Sequence, residues 1–541
     1  MLNRSIPIFV AVVLSIPILT IVSSWFRGIS YSAWSHLIDT TLTEYIVNTF
    51  ILSTGVIVGV IFLGSLCAWI ISAYRFPGHQ FFKVALILPL AMPGYIIAYT
   101  YTGLLDYSGP VQTLLRHSFS WELGNYYFPE IRSVGGAITM LSLVLYPYVY
   151  LIARDAFSFQ SKNLFTSAQM LGVNPMRRFI HISLPIARPA IAAGTALALM
   201  ETLADYGTVA FFGINVFTTG IFRTWFGLGE PILAMQLASL LLISVVFVVA
   251  YEIHFRRKIS FQPTLSPRRK ASKLNGVRGL SAFVFCSLVF AFGFFIPFLQ
   301  LLYWTIAIAD QKLTAEYPAL LINSLSLAIV TALIAISLAL ICSLVAHSWR
   351  RSRLINIGYF FTKLGYAIPG TIVAIGIIIP FSKIDHVLNN WIDTMAGHTP
   401  GLIISGTLFT VIFAHLVRFV PVAILGMESG ISSIPKSMDQ VSSTLGVSRW
   451  KQFKKIQLPI LYPSLITSFT LVFLESLKEL PATLILRPFN FNTLAVKGFE
   501  LATDERLADA APAVITIVLI GLIPIAILSR SISQKYGMSN G

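Results

Sequence analysis

The chain has 541 residues, of which 56% are hydrophobic and 11% charged, and its mean hydropathy is +0.79. That balance excludes a disordered chain and argues against an ordinary soluble domain, because too few polar side chains exist to cover a water-facing surface. The formal net charge of +16 would suit a nucleic-acid-binding protein only if the basic residues lay among aromatics on a soluble face, and they do not.

A helix needs about 20 apolar residues to cross a hydrocarbon core of roughly 30 Å. Within lipid every backbone polar group must be satisfied inside the segment, so helices are expected, and the alternating ten-residue strands of a barrel are missing. Apolar runs predict helices over 7–26, 46–74, 81–105, 133–153, 187–206 and 231–254, then over 279–306, 319–347, 355–381, 402–427, 464–486 and 510–529. These are spans one to twelve of an all-α polytopic membrane protein. The first run follows Arg4 as a signal peptide would, but it extends to Phe26 without a small-x-small cleavage site, so it reads as a retained helix. With the N-terminus in the cytoplasm, most of the 38 Lys and Arg fall on the cytoplasmic side. This positive-inside bias predicts that both termini are cytoplasmic. Cys67, Cys286 and Cys342 lie within spans, with no disulfide or metal-binding spacing, and read as small apolar residues.

The two sets of six spans are related. At an offset of 274, Pro147 meets Pro421, Lys162 meets Lys436, Gly172 meets Gly446, Pro185 meets Pro459, Pro189 meets Pro463, Glu201 meets Glu475 and Asp205 meets Glu479. Pro93-Gly94 meets Pro369-Gly370 at an offset of 276. An ordered series of backbone-shaping and acidic residues indicates two halves, 1–255 and 279–541. An even number of spans per half makes them parallel repeats around a shared axis, the usual place for a transport route. Residues 256–278 between them are basic. The stretch from 255 carries eight basic residues and no acidic one, with Pro263, Pro267 and Gly276 to break a helix. It reads as a cytoplasmic tether beside anionic headgroups, with a specific lipid or regulatory site as the alternative.

In chain order the next feature is the loop after span four, about 158–189, and its partner after span ten, about 430–463. "TSAQMLGVNPMRRFIHISLP" (166–185) and "QVSSTLGVSRWKQFKKIQLP" (440–459) share Leu-Gly-Val and Ile-x-Leu-Pro at the same spacing. A glycine after a helical stretch takes the left-handed conformation that turns one helix into the next. Leu-Pro is expected to end the second helix before the chain re-enters the membrane. A pair of amphipathic loops resting on lipid is the simpler reading, but lipid binding does not require matched spacing, and the repeat favours two shaped docking hairpins.

Spans five and eleven carry Glu201, Asp205, Glu475, Lys478 and Glu479. Charges within a membrane are costly and face a cavity or a partner. Each carboxylate pair is spaced i, i+4, which places both groups on one helical face. If the halves face a common axis, four carboxylates converge there and suit a hard, highly charged cation, with Tyr206 as a further oxygen. Structural or gating salt bridges to Lys478, or to Arg223 or Arg487 near the outer surface, are the alternative.

Taken together, these features resemble the permeases of ABC importers, whose cytoplasmic loop reads Glu-Ala-Ala, three residues, Gly, nine residues, Ile-x-Leu-Pro. Gly172, Ile182, Leu184 and Pro185 match it in the first half, and Gly446, Ile456, Leu458 and Pro459 in the second. Thr166-Ser167-Ala168 and Gln440-Val441-Ser442 stand where the family has Glu-Ala-Ala, so the usual acidic contact is altered. The segments 200–227 and 474–491 are similar to those of fused permeases for ferric iron, and relatives in the broader group carry thiamine, polyamines or other small solutes.

The resemblance implies the type I importer fold and coupling helices seated on two copies of an ABC ATPase. It also implies a periplasmic substrate-binding protein and transient Fe(III) contacts at Glu201, Asp205, Glu475 and Glu479. The chain lacks a Gly-x-x-x-x-Gly-Lys-Ser/Thr phosphate loop, so it is expected to bind no cofactor and not to be an enzyme. ATP with Mg would belong to the partner subunit. A gradient-driven secondary transporter explains the spans and carboxylates but leaves the matched hairpins without a purpose, and no nucleophile or His cluster supports a membrane enzyme.

Overall fold

A computed structural model of the chain describes residues 5–122, 125–158, 160, 167–168, 170–258, 272–312, 316–349, 352–432, 434, 438, 441–442 and 444–537. Among these residues ten helices are each long and apolar enough to cross a membrane, and two bent helix pairs raise the number to twelve. They follow the predicted runs in order. The chain is an all-α polytopic membrane protein, and the extended pairing among the described residues is Tyr74–Arg75 with Ser272–Lys273.

The repeat is visible in helix lengths. Span four, Val134–Ser158, and span ten, Leu408–Ser432, both have 25 residues and carry Pro147 and Pro421 at equivalent places. Spans two and eight, Leu42–Ala73 and Tyr317–Ser348, both have 32.

Spans three and nine depart from the continuous helices expected over 81–105 and 355–381. Span three turns by 95° between His79–Ala91 and Gly94–Phe119. Span nine is interrupted between Arg353–Leu364 and Gly370–Ala396. Both breaks fall at the Pro-Gly pair. Proline removes a ladder N–H and pushes the preceding residue out of the helical region, and a new helix starts at each glycine.

The sequence halves do not pack as separate bundles. One apolar core joins spans two to five, through Leu52, Tyr99, Leu141 and Ala198, to Leu301 of span seven and Val514 of span twelve. The other joins Ile21 of span one and Leu237 of span six to spans eight to eleven, through Ala335, Ile372, Val420 and Val472. The first span of each half therefore packs against the other half, while span six keeps its main contact with span five of its own half.

In lipid, apolar side chains gain little from leaving an equally apolar solvent, so close packing at small residues decides which helices associate. Span one bends by 45° between Ile6–Leu14 and Ile16–Arg27. Gly376 of span nine lies so close there that an added Cβ would sit 2.6 Å from the Pro17 carbonyl oxygen. Span seven makes the reciprocal approach. Its Trp304 stacks on Tyr99 with centroids 6.1 Å apart, and a Cβ on Gly103 would meet the indole at 2.5 Å.

Gly376→Val should therefore drive carbon into backbone and cost about 1–3 kcal/mol. We expect a lower thermal midpoint in detergent, whereas Gly135→Ala, whose Cβ would have its nearest neighbour at 3.8 Å, should leave it unchanged.

At the end of the bundle where span four begins, Arg132 of the first half grips Glu505 of the second with two contacts of 2.7 and 2.8 Å. The guanidinium hydrogen bond holds the Glu505 carboxyl below the usual carboxylate range. Glu505 is exposed and Arg132 half-buried, so the pair contributes little to stability.

Candidate functional site

The two hairpins share one backbone geometry. Gly172 and Gly446 take φ of +70° and +68°. Around them Leu171 N–H donates to Ser167 O and Val173 N–H to Ala168 O, at 3.1 and 3.0 Å, and Leu445 to Val441 and Val447 to Ser442, both at 3.0 Å. These bonds close the end of the first helix in the Schellman manner. A Cβ at either glycine would meet nothing within 4 Å, so backbone conformation alone requires glycine there. Thr166 and Gln440, together with Lys162 and Lys436, lie outside the described residues.

The break expected at Leu184-Pro185 and Leu458-Pro459 is not there. After Pro175–Arg178 and Arg449–Gln452 the chain widens into π-type turns, Phe179–Ser183 and Phe453–Gln457, and then continues as Leu184–Ala204 and Leu458–Leu477. The wider turn makes room for a proline ring that would otherwise strike the carbonyl one turn back. The second helix of each hairpin is thus continuous with span five or eleven.

Ile182, Leu184, Pro185, Ile456 and Leu458 are half-buried along this stretch, while Pro459 is exposed. Phe179 anchors the first hairpin, with its ring 4.6 Å from Trp69 and 6.3 Å from Phe157, and Gln160 donates to the Ser183 carbonyl at 2.9 Å. Phe453, the equivalent of Phe179, packs beside Ile431 and Leu461. This pair of phenylalanines was legible at the same offset of 274 but is not among the predicted site residues. Met170, Leu171 and Met176, and Val441, Leu445 and Trp450, leave apolar surface exposed on the tips.

Glu201, Asp205, Tyr206, Glu475, Lys478 and Glu479 all line one cavity of about 100 Å³ between the halves. The i, i+4 argument for a shared helical face fails, because span five ends at Ala204 and span eleven at Leu477, short of the predicted 486. Asp205 instead turns to cap the next short helix, Gly207–Phe211, and accepts from Thr208 N–H at 3.0 Å, Thr208 Oγ1 at 2.9 Å and Val209 N–H at 3.2 Å. Glu479 caps Pro481–Leu486 in the same way through Ala482 N–H at 3.0 Å. Each cap presses on a Pro-Gly break: a Cβ on Gly94 would lie 3.2 Å from Asp205 Oδ2, and one on Gly370 2.5 Å from Glu479 Oε1. The two sequence signals, acidic pair and Pro-Gly, meet at one place in each half.

The charge partners differ between the halves. Lys478 pairs with Glu475 at 2.9 Å, and Arg418 of span ten pairs with Glu479. At the same offset of 274 the first half has Ala204 and Val144, which also line the cavity. Among the described residues Glu201 accepts one hydroxyl, from Tyr366 of the other half at 2.6 Å. Of the outer candidates, Arg487 pairs with Glu500, while Arg223 is exposed and has no ion pair among the described residues. Arg418 was missed by the sequence reading, although a lone arginine in an apolar span is a signal in its own right. His415, one turn away, bridges Ser476 Oγ at 2.8 Å and Thr483 Oγ1 at 2.9 Å, which ties span ten to the turn holding Glu479. Among the described residues no three His, Cys, Asp or Glu side chains meet to chelate a metal. The carboxylates are spread along the cavity rather than gathered into a cage.

Residues 335–535, which include the second hairpin, match the family described as binding-protein-dependent transport system inner membrane component. The second half of this chain matches that permease family. The permease is 26% identical over 498 residues, 90% of both chains, to an Fe(3+)-transport system permease protein of Haemophilus influenzae. It is 23% identical over 435 residues to a putative ferric transport system permease protein of the same organism, covering 75% of this chain and 64% of the relative. Over 171 residues, 32% of this chain and 58% of the relative, it is 30% identical to a putative 2-aminoethylphosphonate transport system permease protein of Salmonella paratyphi A. The family match covers the second hairpin and most of spans eight to twelve, and the internal repeat gives the first half of the permease the same plan.

Proposed function

We propose that the permease carries ferric iron across the bacterial inner membrane as the membrane-spanning part of an ATP-driven importer. The observation that carries this reading is the cavity of four carboxylates between the halves, in a chain similar along 90% of its length to an iron permease. Fe(III) is a hard cation that prefers oxygen ligands. In the first half, Glu201 and Asp205 have no cationic partner among the described residues, and the phenol of Tyr95, buried and without a hydrogen-bond partner among them, lines the same space. The second half holds its carboxylates with Lys478 and Arg418. Cargo would be held weakly on one wall and released as the other moves, since conduction requires divided binding rather than a deep trap.

In this reading both termini and both hairpins face the cytoplasm, and two copies of an ABC ATPase, which supply ATP and Mg, seat on the exposed hairpin tips. A periplasmic binding protein delivers iron at the opposite end, where Arg132 meets Glu505. Closure of the ATPases would push on the hairpins and tilt spans five and eleven, whose membrane ends carry Glu201 and Glu475.

Glu201→Gln tests the cargo assignment, because the amide oxygen still accepts from Tyr366 while the charge is lost. We expect ATP-dependent iron uptake in vesicles to fall at least about tenfold, the order of one lost charge–charge contact, with membrane insertion unchanged. For the second half, Glu475→Gln is paired with Lys478→Met to avoid an orphaned ammonium. Unaltered iron flux in both variants rejects the carboxylate route. Uptake that persists without ATP but collapses with the ion gradients would instead establish a secondary carrier.

A further inference from the structure

A groove of about 610 Å³ opens where the loop after span two meets the start of span seven, walled by Arg75, Phe76, Lys273, Leu274, Leu280 and Phe283. Its frame is the short parallel strand pair, in which Arg75 stands in register with Lys273 and Leu274 N–H donates to the Arg75 carbonyl at 2.9 Å. Paired strands lie about 4.8 Å apart, so the two cationic side chains start next to each other. Both are exposed, and neither forms an ion pair with an acidic side chain among the described residues. Like charges directly opposed on a ladder repel, and an anion between them would turn that repulsion into attraction.

Apart from Asn275 the rest of the wall is apolar, and part of it faces outward. Leu280 and Phe283 are exposed, and the strip continues along span seven through Val284 and Leu288. Span two ends at Ala73 and span seven begins at Val277, so the cations sit where both helices leave the membrane and the apolar strip runs into it. Charge above and hydrocarbon below is the layout of a phospholipid. The site also touches the machinery. Tyr74 packs edge-on to Trp69 at 5.1 Å, and Trp69 is the ring against which Phe179 of the first hairpin rests.

We propose that this groove binds one anionic phospholipid, its phosphate between Arg75 and Lys273 and its acyl chains along Leu280 and Phe283. Basic pockets beside membrane helices favour anionic headgroups, and a zwitterionic lipid brings no net charge to offset two cations. The bound lipid joins the first half to the start of the second at the foot of the coupling hairpin. This assignment is independent of the cargo.

The test uses the full-length permease in nanodiscs of mixed phosphatidylcholine and phosphatidylglycerol, with retained lipid counted by native mass spectrometry after detergent exchange. Wild type and Arg27→Gln, a charge at the other end of the bundle, should each keep one phosphatidylglycerol. Arg75→Gln with Lys273→Gln should bind it roughly 20- to 30-fold more weakly, with phosphatidylcholine retention unchanged. Equal phosphatidylglycerol retention by wild type and the double variant overturns the proposal. So does a wild type that retains none, the outcome if the permease's own linker fills the groove.

Discussion

Arg418→Met is expected to destabilise the permease by about 3–5 kcal/mol, because it leaves the Glu479 carboxylate buried without its cation. Both side chains are almost fully enclosed, 7% and 4% exposed, so water cannot take over the lost contact. Glu479 also caps the helix Pro481–Leu486 and presses on Gly370, so protonation or displacement of the carboxylate would loosen the second-half break as well. Arg418→Met combined with Glu479→Gln should recover much of the loss, since no charge remains and the amide oxygen can still accept from Ala482. Thermal midpoints in detergent, together with the yield of inserted protein, distinguish these outcomes. If the single variant melts with wild type, the ion pair does not hold the turn.

Gly172→Val together with Gly446→Val is expected to bring ATP-dependent uptake to background while the protein still inserts and purifies normally. A left-handed conformation costs an L-residue about 1–2 kcal/mol, and more for a β-branched side chain. Both hairpins close on such a residue, at φ of +70° and +68°. The surrounding space is open, so the penalty falls on the turn alone and leaves the bundle intact. Asparagine tolerates the left-handed region, so Gly172→Asn with Gly446→Asn should retain most of the activity. Full activity in the double valine variant would show that the turn geometry does not transmit the ATPase stroke.

The membrane class, the number of spans and the parallel repeat were determined by the sequence alone. Lipid imposes a minimum apolar length, and proline, glycine and acidic residues at a constant offset mark the same backbone events twice. The hairpins were legible for the same reason, since a glycine at Gly172 or Gly446 specifies a local conformation that needs no distant partner.

Other features were decided only by tertiary packing. Proline alone does not say where a span breaks: Pro147, Pro189, Pro421 and Pro463 stay inside helices. Pro93 and Pro369 interrupt theirs, where each following glycine meets a capping carboxylate. The same contacts end spans five and eleven early and turn Asp205 and Glu479 away from the face of Glu201 and Glu475. The exchange of spans one and seven was hidden because one apolar face looks like another in hydrocarbon. Only the shape match of Pro17 to Gly376, and of Trp304 to Gly103, selects the partner. A sequence specifies which groups must be satisfied, and the packed structure specifies which neighbour satisfies them.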